Sequence, residues 1–319
     1  MHGAILEAAS LGPGVELGPL LARLDTWDLH QTTLAHELPA RLERAEVVLC
    51  NKLRLGADAI ACAPRLALIA VTATGTDNVD LVAAGARGIR VCNVRDYAEA
   101  SVAEHTLMLM LALARSLGPY RAAVEEGEWS RSPFFCLHSH PVLELQGARL
   151  GVVGFGSLGR AVARLAAALG MDIRLARFPG RVAAPAPFPR VPLAELLAWA
   201  EVLTIHCPLT EQTRGLIGAA QLARMRPGAL LINTARGGIV DEFALIEALR
   251  GGRLGGAAID TLELEPPAPD APLLRARLPN LIVTPHIAWA SQAARQRLVD
   301  QVAEVIGSWR AGTARNVVL

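Results

Sequence analysis

Lysine is almost missing from this sequence. Its 31 basic residues comprise 30 arginines and a single lysine, Lys52, against 30 acids, for a formal net charge of +1. A chain so balanced carries no polybasic arm, so neither nucleic acid nor an anionic membrane is an expected partner. Long apolar runs are missing too. The longest, LMLMLALA from Leu107 to Ala114, falls far short of the ~20 residues that span a bilayer. Cysteines are few, odd in number and scattered singly at Cys50, Cys62, Cys92, Cys136 and Cys207. That excludes a disulfide framework and fits reduced thiols in a cytosol. The opening MHGAILEAAS lacks the basic start and cleavage site of a signal peptide, so a cytoplasmic protein is expected. The arginine excess reads as a coding bias. The one lysine left over is either a chance survivor of that bias or the mark of a position suited to a compact ammonium, where a planar fork would not serve.

What is present is an alternation of short apolar runs with helical patterns, the mark of an α/β fold with parallel sheets. The 319 residues suffice for two domains of ordinary size. Early strands are expected at EVVLC (Glu46–Cys50), LALIAV (Leu66–Val71) and IRVCNV (Ile89–Val94). A long helix, EASVAEHTLMLMLALARSL, follows, with Ser101 as its cap and Gly118-Pro119 at its end. From Arg149 the alternation tightens into LGVVGFG, DIRLARF, VLTIHC, ALLINTA, GGAAIDT and LIVTPH, six strands in about 140 residues, as one doubly wound domain requires. The Pro/Ala stretch Phe178–Pro192 reads as a loop, and Ser291–Gly312 as a helix.

GFGSLG, from Gly154 through Gly156, Ser157 and Leu158 to Gly159, fits Gly-x-Gly-x-x-Gly between a strand and a helix. Such glycines permit a tight turn and let backbone amides approach a pyrophosphate at the helix N-terminus. An NAD site wants an acid about 20 residues on, to accept from the ribose 2′-hydroxyl. Here the next strand ends in Arg177, with Arg181 close behind. Asp172 sits at the wrong end, roughly 16 Å away at ~3.3 Å per residue. Cations where the acid should be attract a 2′-phosphate, so NADP(H) is favoured over NAD(H).

Three further strands end in chemistry-bearing residues: Arg236 in LINTARGGIV, Glu265 in AAIDTLELEPP and His286 in VTPHIAW. Open α/β sheets place ligands at that edge. An Arg to fork onto a carboxylate and carbonyl, a His to donate a proton, and a Glu to orient the imidazole suit reduction of a 2-oxo acid. On spacing alone, three unrelated loop residues remain an equal alternative.

With those residues named, the chain resembles the D-isomer-specific 2-hydroxyacid dehydrogenases over nearly its whole length. The matches are ATGTDNVD (Ala73–Asp80), SVAEHT (Ser101–Thr106), GVVGFGSLGRAVA, HCPLT (His206–Thr210), INTARGGIVDE (Ile232–Glu242), AIDTLELEPP and TPHIAWAS. Within the family CNVRDYAEASVAEHT, FFCLHSHP and TPHIAWAS are most similar to glycerate dehydrogenases, also called hydroxypyruvate reductases. The resemblance implies the roles above for Arg236, Glu265 and His286. It implies that Gly75 and Thr76 cradle the substrate carboxylate and that Thr74 lies near the nicotinamide. Cys207, Pro208, Thr234, Ala235 and Asp260 would line the cofactor cleft, with Asp260 near the carboxamide. It further implies two doubly wound domains, a Rossmann cofactor domain (99–287) inserted in a flavodoxin-like substrate domain (1–98 and 288–319), and a homodimer paired through the cofactor domain. Arg177 departs from the pattern, since the glycerate dehydrogenases carry an acid there.

Other readings have less behind them. CLHSH (Cys136, His138, His140) lacks a standard zinc spacing, and no metal is expected. His105 and His206 read as packing residues. Trp289 would wall the pocket, and Lys52 would meet the hydroxymethyl group that separates hydroxypyruvate from glyoxylate. A dinucleotide-sensing corepressor shares the expected fold, but a basic localisation run and a disordered tail are both missing. In a formate dehydrogenase a Gln would replace Glu265.

Overall fold

Val47–Cys50, Leu68–Val71, Val202–Ile205 and Ala229–Asn233 are buried at every residue. Only a sheet covered on both faces makes continuous apolar strands of that kind favourable. The computed structural model describes residues 1–178 and 185–319. Contacts divide the chain into two units, residues 1–98 with 290–319, and residues 99–289.

The first unit has five strands: β1 (His2–Ile5), β2 (Thr26–Leu29), β3 (Val47–Cys50), β4 (Leu68–Val71) and β5 (Arg90–Cys92). All pair in parallel in the order β2-β1-β3-β4-β5, the flavodoxin-like winding. The helix Gln292–Arg310 belongs to this unit and buries Leu298, Val299, Val302, Val305 and Ile306, a stripe at helical spacing. Ser291 caps it, accepting from the Ala294 amide at 3.2 Å. The C-terminal residues run back along β5: Asn93 N–H donates to Asn316 and Val318 N–H to Val91. That edge is thereby covered.

The second unit has seven strands: β6 (Arg149–Val153), β7 (Asp172–Arg177), β8 (Arg190–Pro192), β9 (Val202–Ile205), β10 (Ala229–Asn233), β11 (Leu254–Ile259) and β12 (Leu281–Val283). Every pairing is parallel, in the order β12-β11-β10-β9-β6-β7-β8. This is the Rossmann order with one strand added, and the winding reverses between β6 and β9. Helices Glu99–Ala114 and Ser157–Ala168 cover one face through Leu109, Met110, Ala163 and Ala166. Helices Leu193–Trp199, Ala219–Arg224 and Glu242–Arg250 cover the other through Leu196, Leu222 and Leu245.

The expected fold class is therefore observed, with three strands added and two boundaries moved. β1, β2 and β8 are strands of three or four residues, too short for a period to stand out. β1 contains Gly3, where a Cβ would lie 2.5 Å from the Trp27 ring, so the glycine makes room for β2. β8 lies within the presumed loop. Its Pro192 is tolerated because β8 is an edge strand with no ladder bond to donate on its outer side. Ser101 is not a cap: the helix starts at Glu99, and the buried Ser101 hydroxyl donates to the Ala288 carbonyl at 2.7 Å. The same helix ends at Ala114, and Gly118-Pro119 lies inside the next one, Leu117–Glu125.

Candidate active site

Because all seven strands of the second unit are parallel, the segments after β6, β7, β9, β10, β11 and β12 emerge along one edge. The glycine-rich turn follows β6, at the reversal. Gly154 has φ of +98°, and a Cβ on it would lie 2.5 Å from the Cys207 amide nitrogen. A Cβ on Gly159 would lie 2.1 Å from the Gly154 carbonyl oxygen. At Gly156, which caps the Ser157–Ala168 helix, a Cβ would meet nothing within 4 Å. Two glycines are thus required by protein packing, and the third keeps open the approach to the first-turn amides of Ser157, Leu158 and Gly159. Those amides have no intrahelical acceptor. The open cradle fits a dinucleotide pyrophosphate.

Arg177 is exposed at the end of β7, and Asp172 starts that strand. The next acid, Glu195, pairs with Arg174 at 3.4 Å. Arg181 lies outside the described residues. After β9, Cys207 is buried and the Pro208 carbonyl accepts from the Thr213 hydroxyl at 2.6 Å. His206 is buried against this turn. Burial pushes its imidazole down to about 4, so the ring is neutral near pH 7. One ring nitrogen meets the Thr204 hydroxyl at 2.9 Å, and Nδ1 has no partner among the described residues. His206 thus packs against the glycine turn, as the sequence suggests, with one nitrogen in reserve.

β10 delivers Thr234, Ala235 and Arg236. Asn233, buried at the end of that strand, clamps the turn from within. Its amide donates to the Arg236 carbonyl at 2.9 Å, and its oxygen accepts from the Ala235 N–H at 3.0 Å. The Thr234 hydroxyl lies 3.1 Å from that of Thr106. Arg236 is half-buried, with Nη1 donating to the Ala235 carbonyl at 2.7 Å. The following residue packs against the next loop, since a Cβ on Gly237 would fall 1.9 Å from the Leu262 carbonyl oxygen.

That loop, after β11, carries Glu265. One of its oxygens accepts from the Leu262 amide at 2.9 Å, and the other meets His286 Nδ1 at 2.7 Å. His286 follows β12 with φ of +54°, an uncommon left-handed conformation for a non-glycine residue. The His and Glu side chains keep 24% and 30% exposure, so the pair is open to a small solute. Of the three residues expected to converge, His286 and Glu265 touch. Arg236 lies on the adjoining loop, its Nη1 turned to the Ala235 carbonyl.

The sequence reading missed what holds His286. Asp260, buried at the end of β11, accepts from the Ile287 amide at 3.0 Å, the Ala288 amide at 2.9 Å and the Thr284 hydroxyl. Its carbonyl accepts from the His286 amide at 2.9 Å. His105 approaches from its helix, 3.2 Å from the Thr284 hydroxyl and 3.6 Å from the Asp260 carboxylate. The available signal was a lone polar residue closing an apolar strand, at Asn233 and at Asp260, since buried polar groups need partners. Asp260 was expected beside a carboxamide, and in the structure its carboxylate serves the His286 loop. Trp289 lies three residues beyond His286, half-buried.

In the first unit, the turns after β1, β3 and β4 also share an edge. The Glu7 carboxylate accepts from three successive amides, Asn51 at 2.7 Å, Lys52 at 3.0 Å and Leu53 at 3.0 Å. This fixes the turn from which Lys52 projects, exposed. Burial, with Glu7 adding to it, pushes the nearby Cys50 thiol up to about 12, so it stays protonated. Asn93 donates to the Thr74 carbonyl at 2.7 Å and Asn78 to the Leu53 carbonyl at 3.1 Å, bracing the Thr74-Gly75-Thr76 backbone beside the Lys52 turn. Cys136 and His138 approach to 3.4 Å. Among the described residues no group of three potential ligands could hold a metal ion, and no helix is long and apolar enough to cross a membrane.

Comparison with known proteins gives the family of the chain. The family described as D-isomer specific 2-hydroxyacid dehydrogenase, NAD binding domain, matches residues 107–288. A glycerate dehydrogenase of Methylorubrum extorquens is 45% identical over 294 residues, 91% of each chain. A hydroxypyruvate reductase of Blautia hydrogenotrophica is 33% identical over 322 residues, 100% of this chain and 99% of its own. Among solved structures, the TT0316 protein of Thermus thermophilus superposes with a TM-score of 0.85 at 35% identity, covering 100% of both chains.

Proposed function

Because the chain belongs to the D-isomer specific 2-hydroxyacid dehydrogenase family, we propose that it reduces hydroxypyruvate to D-glycerate, and glyoxylate to glycolate, with His286 as the acid/base. The observation that carries this reading is the 2.7 Å contact between His286 Nδ1 and Glu265. The carboxylate accepts a hydrogen bond from Nδ1–H and fixes the orientation of the ring, leaving Nε2 to face the substrate. A dinucleotide whose pyrophosphate is held at the Gly154–Gly159 turn would supply the hydride from its nicotinamide. In the reductive direction His286 passes the Nε2 proton to the carbonyl oxygen as that oxygen becomes a hydroxyl, and Glu265 stabilises the charged ring beforehand. In oxidation the neutral ring takes the proton back. Arg236 forks onto the carboxylate and carbonyl oxygens, polarising the bond and holding the substrate in one orientation. Gly75 and Thr76 supply backbone donors for the carboxylate, and Lys52 and Trp289 shape the choice of substituent.

Arg177 supports a preference for NADPH over NADH. A single partly solvated pair with a 2′-phosphate is worth on the order of 1–3 kcal/mol. The names of two relatives, glycerate dehydrogenase and hydroxypyruvate reductase, support hydroxypyruvate as substrate. Glyoxylate differs by one hydroxymethyl group, a distinction of only ~1–3 kcal/mol in a typical pocket. We further propose a homodimer paired through the second unit, where Phe134 and Phe135 are 72% and 92% exposed. Five free cysteines suit a reducing cytoplasm.

Initial rates of hydroxypyruvate and glyoxylate reduction with NADPH and NADH test the proposal. Higher kcat/KM with NADPH and hydroxypyruvate is expected. Preference for NADH would remove the role of Arg177, and no turnover of either acid would remove the substrate assignment. Lys52→Met leaving the ratio between the two acids unchanged would remove Lys52 from substrate choice. Sedimentation equilibrium gives the dimer mass or refutes it.

A further inference from the structure

A second arginine stands over the glycine-rich turn. Arg190 opens β8 in register with Leu175 of β7. Its guanidinium carbon lies 5.6 Å from the ring centroid of Phe155, the residue between the first two glycines of the turn. Phe188 meets the same ring edge-on at 6.2 Å and 89°, so the platform is held in place. Side chains alternate along a strand. Ile173 and Leu175 point into the core under the Ser157–Ala168 helix, whereas Ala176 points into the opposite core. Arg177, two residues beyond Leu175, and Arg190, level with it, therefore stand on the same sheet face. That face also carries the helix whose N-terminus the glycines leave open. Glu195 is paired with Arg174, and Asp172 is at the far end of β7.

We propose that Arg190 is the second cation of a two-arginine site for the ribose 2′-phosphate of NADPH, with Arg177 as the first and Phe155 as the support that keeps the Arg190 guanidinium at the turn. This rests on the reading that the cofactor carries a 2′-phosphate. The chemistry follows from charge and order. The phosphate is close to a dianion, so one guanidinium neutralises only half of it. A guanidinium resting on an aromatic face is attracted by the ring and loses less freedom on binding than one swinging in solvent. β8 was unreadable in the sequence, so nothing there linked Arg190 to the glycine turn.

Adenosine 2′,5′-bisphosphate and adenosine 5′-monophosphate differ only in the 2′-phosphate, and titration calorimetry with the full chain measures both without catalysis. The wild type is expected to bind the bisphosphate at least about tenfold more tightly. Arg190→Met keeps an apolar stem over Phe155 and removes the charge. It should cut that ratio by about tenfold while leaving the monophosphate within about twofold, and monophosphate binding also reports that the variant is folded. Arg177→Met should behave the same way. If Arg177→Met abolishes the ratio and Arg190→Met leaves it intact, the Arg190 assignment falls and the NADPH reading survives. Equal weakening of both ligands by Arg190→Met would make it a packing residue and overturn the proposal. Equal binding of both ligands by the wild type would overturn the NADPH reading and this proposal with it.

Discussion

The two arms of the seven-stranded sheet prepare their loops by opposite means. On the β6–β8 side the turn is built by leaving side chains out: Gly154 and Gly159 pack backbone against backbone, and Gly156 leaves a gap. On the β10–β12 side the loops are built by inserting polar side chains. Asn233 clamps the Arg236 turn, and Asp260 and Ser101 hold the segment that carries His286. The first arm offers amides and open space to a diphosphate. The second fixes an imidazole in a strained backbone conformation, at a cost of order 1–3 kcal/mol that its surroundings must meet. Damage to the first should therefore be read in cofactor affinity, and damage to the second in turnover.

The largest effect is expected from His286→Ala. Its kcat should fall by about 10³-fold while the NADPH Kd, from fluorescence titration, stays within about twofold. A near-normal rate would show that the proton comes from elsewhere. Asp260→Asn sharpens the contrast, because it replaces one oxygen acceptor by an amide donor facing backbone N–H groups. We expect kcat to fall by about 10- to 100-fold and stability by ~1–3 kcal/mol, with cofactor affinity nearly kept. A selective loss of affinity would return Asp260 to the carboxamide role that the family resemblance implies.

The glycines form the opposite test. Gly156→Ala should leave the melting temperature within about 1 °C, because the added methyl meets only space, yet weaken NADPH binding by about tenfold. Gly159→Ala should cost at least ~2 kcal/mol of stability, since its Cβ would collide with backbone that cannot move aside. If both variants behaved alike, the division of labour among the glycines would be wrong.

A further effect is read in pH. His206 titrates near 4 in the folded protein against an ordinary value of 6.5. Above pH 6.5 folded and unfolded chains both hold the ring neutral, and it adds no pH dependence. Between 6.5 and 4 the unfolded chain takes up a proton that the folded chain refuses, so stability falls as acid is added. The full loss is on the order of 3 kcal/mol. His206→Gln should flatten the melting profile in that window, and an unchanged profile would mean that the ring reaches water.

The same contrast explains what was legible in the sequence. The glycine arm announces itself because three glycines at fixed spacing between a strand and a helix admit few structures. The strands flanking it are visible because burial on both faces forces unbroken apolar runs. Arg236, Glu265 and His286 stand out as chemistry-bearing residues in the segments that follow such runs. Their supports stand out less, because Ser101 and His105 on one helix, Asn233, Asp260 and Thr284 come from separate stretches of the chain, and only Asn233 and Asp260 share a pattern, a polar residue closing an apolar strand. β8 was hidden for a different reason: three residues beside a proline have no period, and only the sheet order turns them into an edge strand.

Glu7 and the turn that it pins have a practical consequence. The side chains of this molecule offer one primary amine, and it projects, exposed, from amides locked to a carboxylate at the edge of the five-stranded sheet. An acylating dye or cross-linker therefore has one side-chain address. A fluorophore attached there would report from beside the Thr74–Thr76 segment, with no cysteine to be engineered.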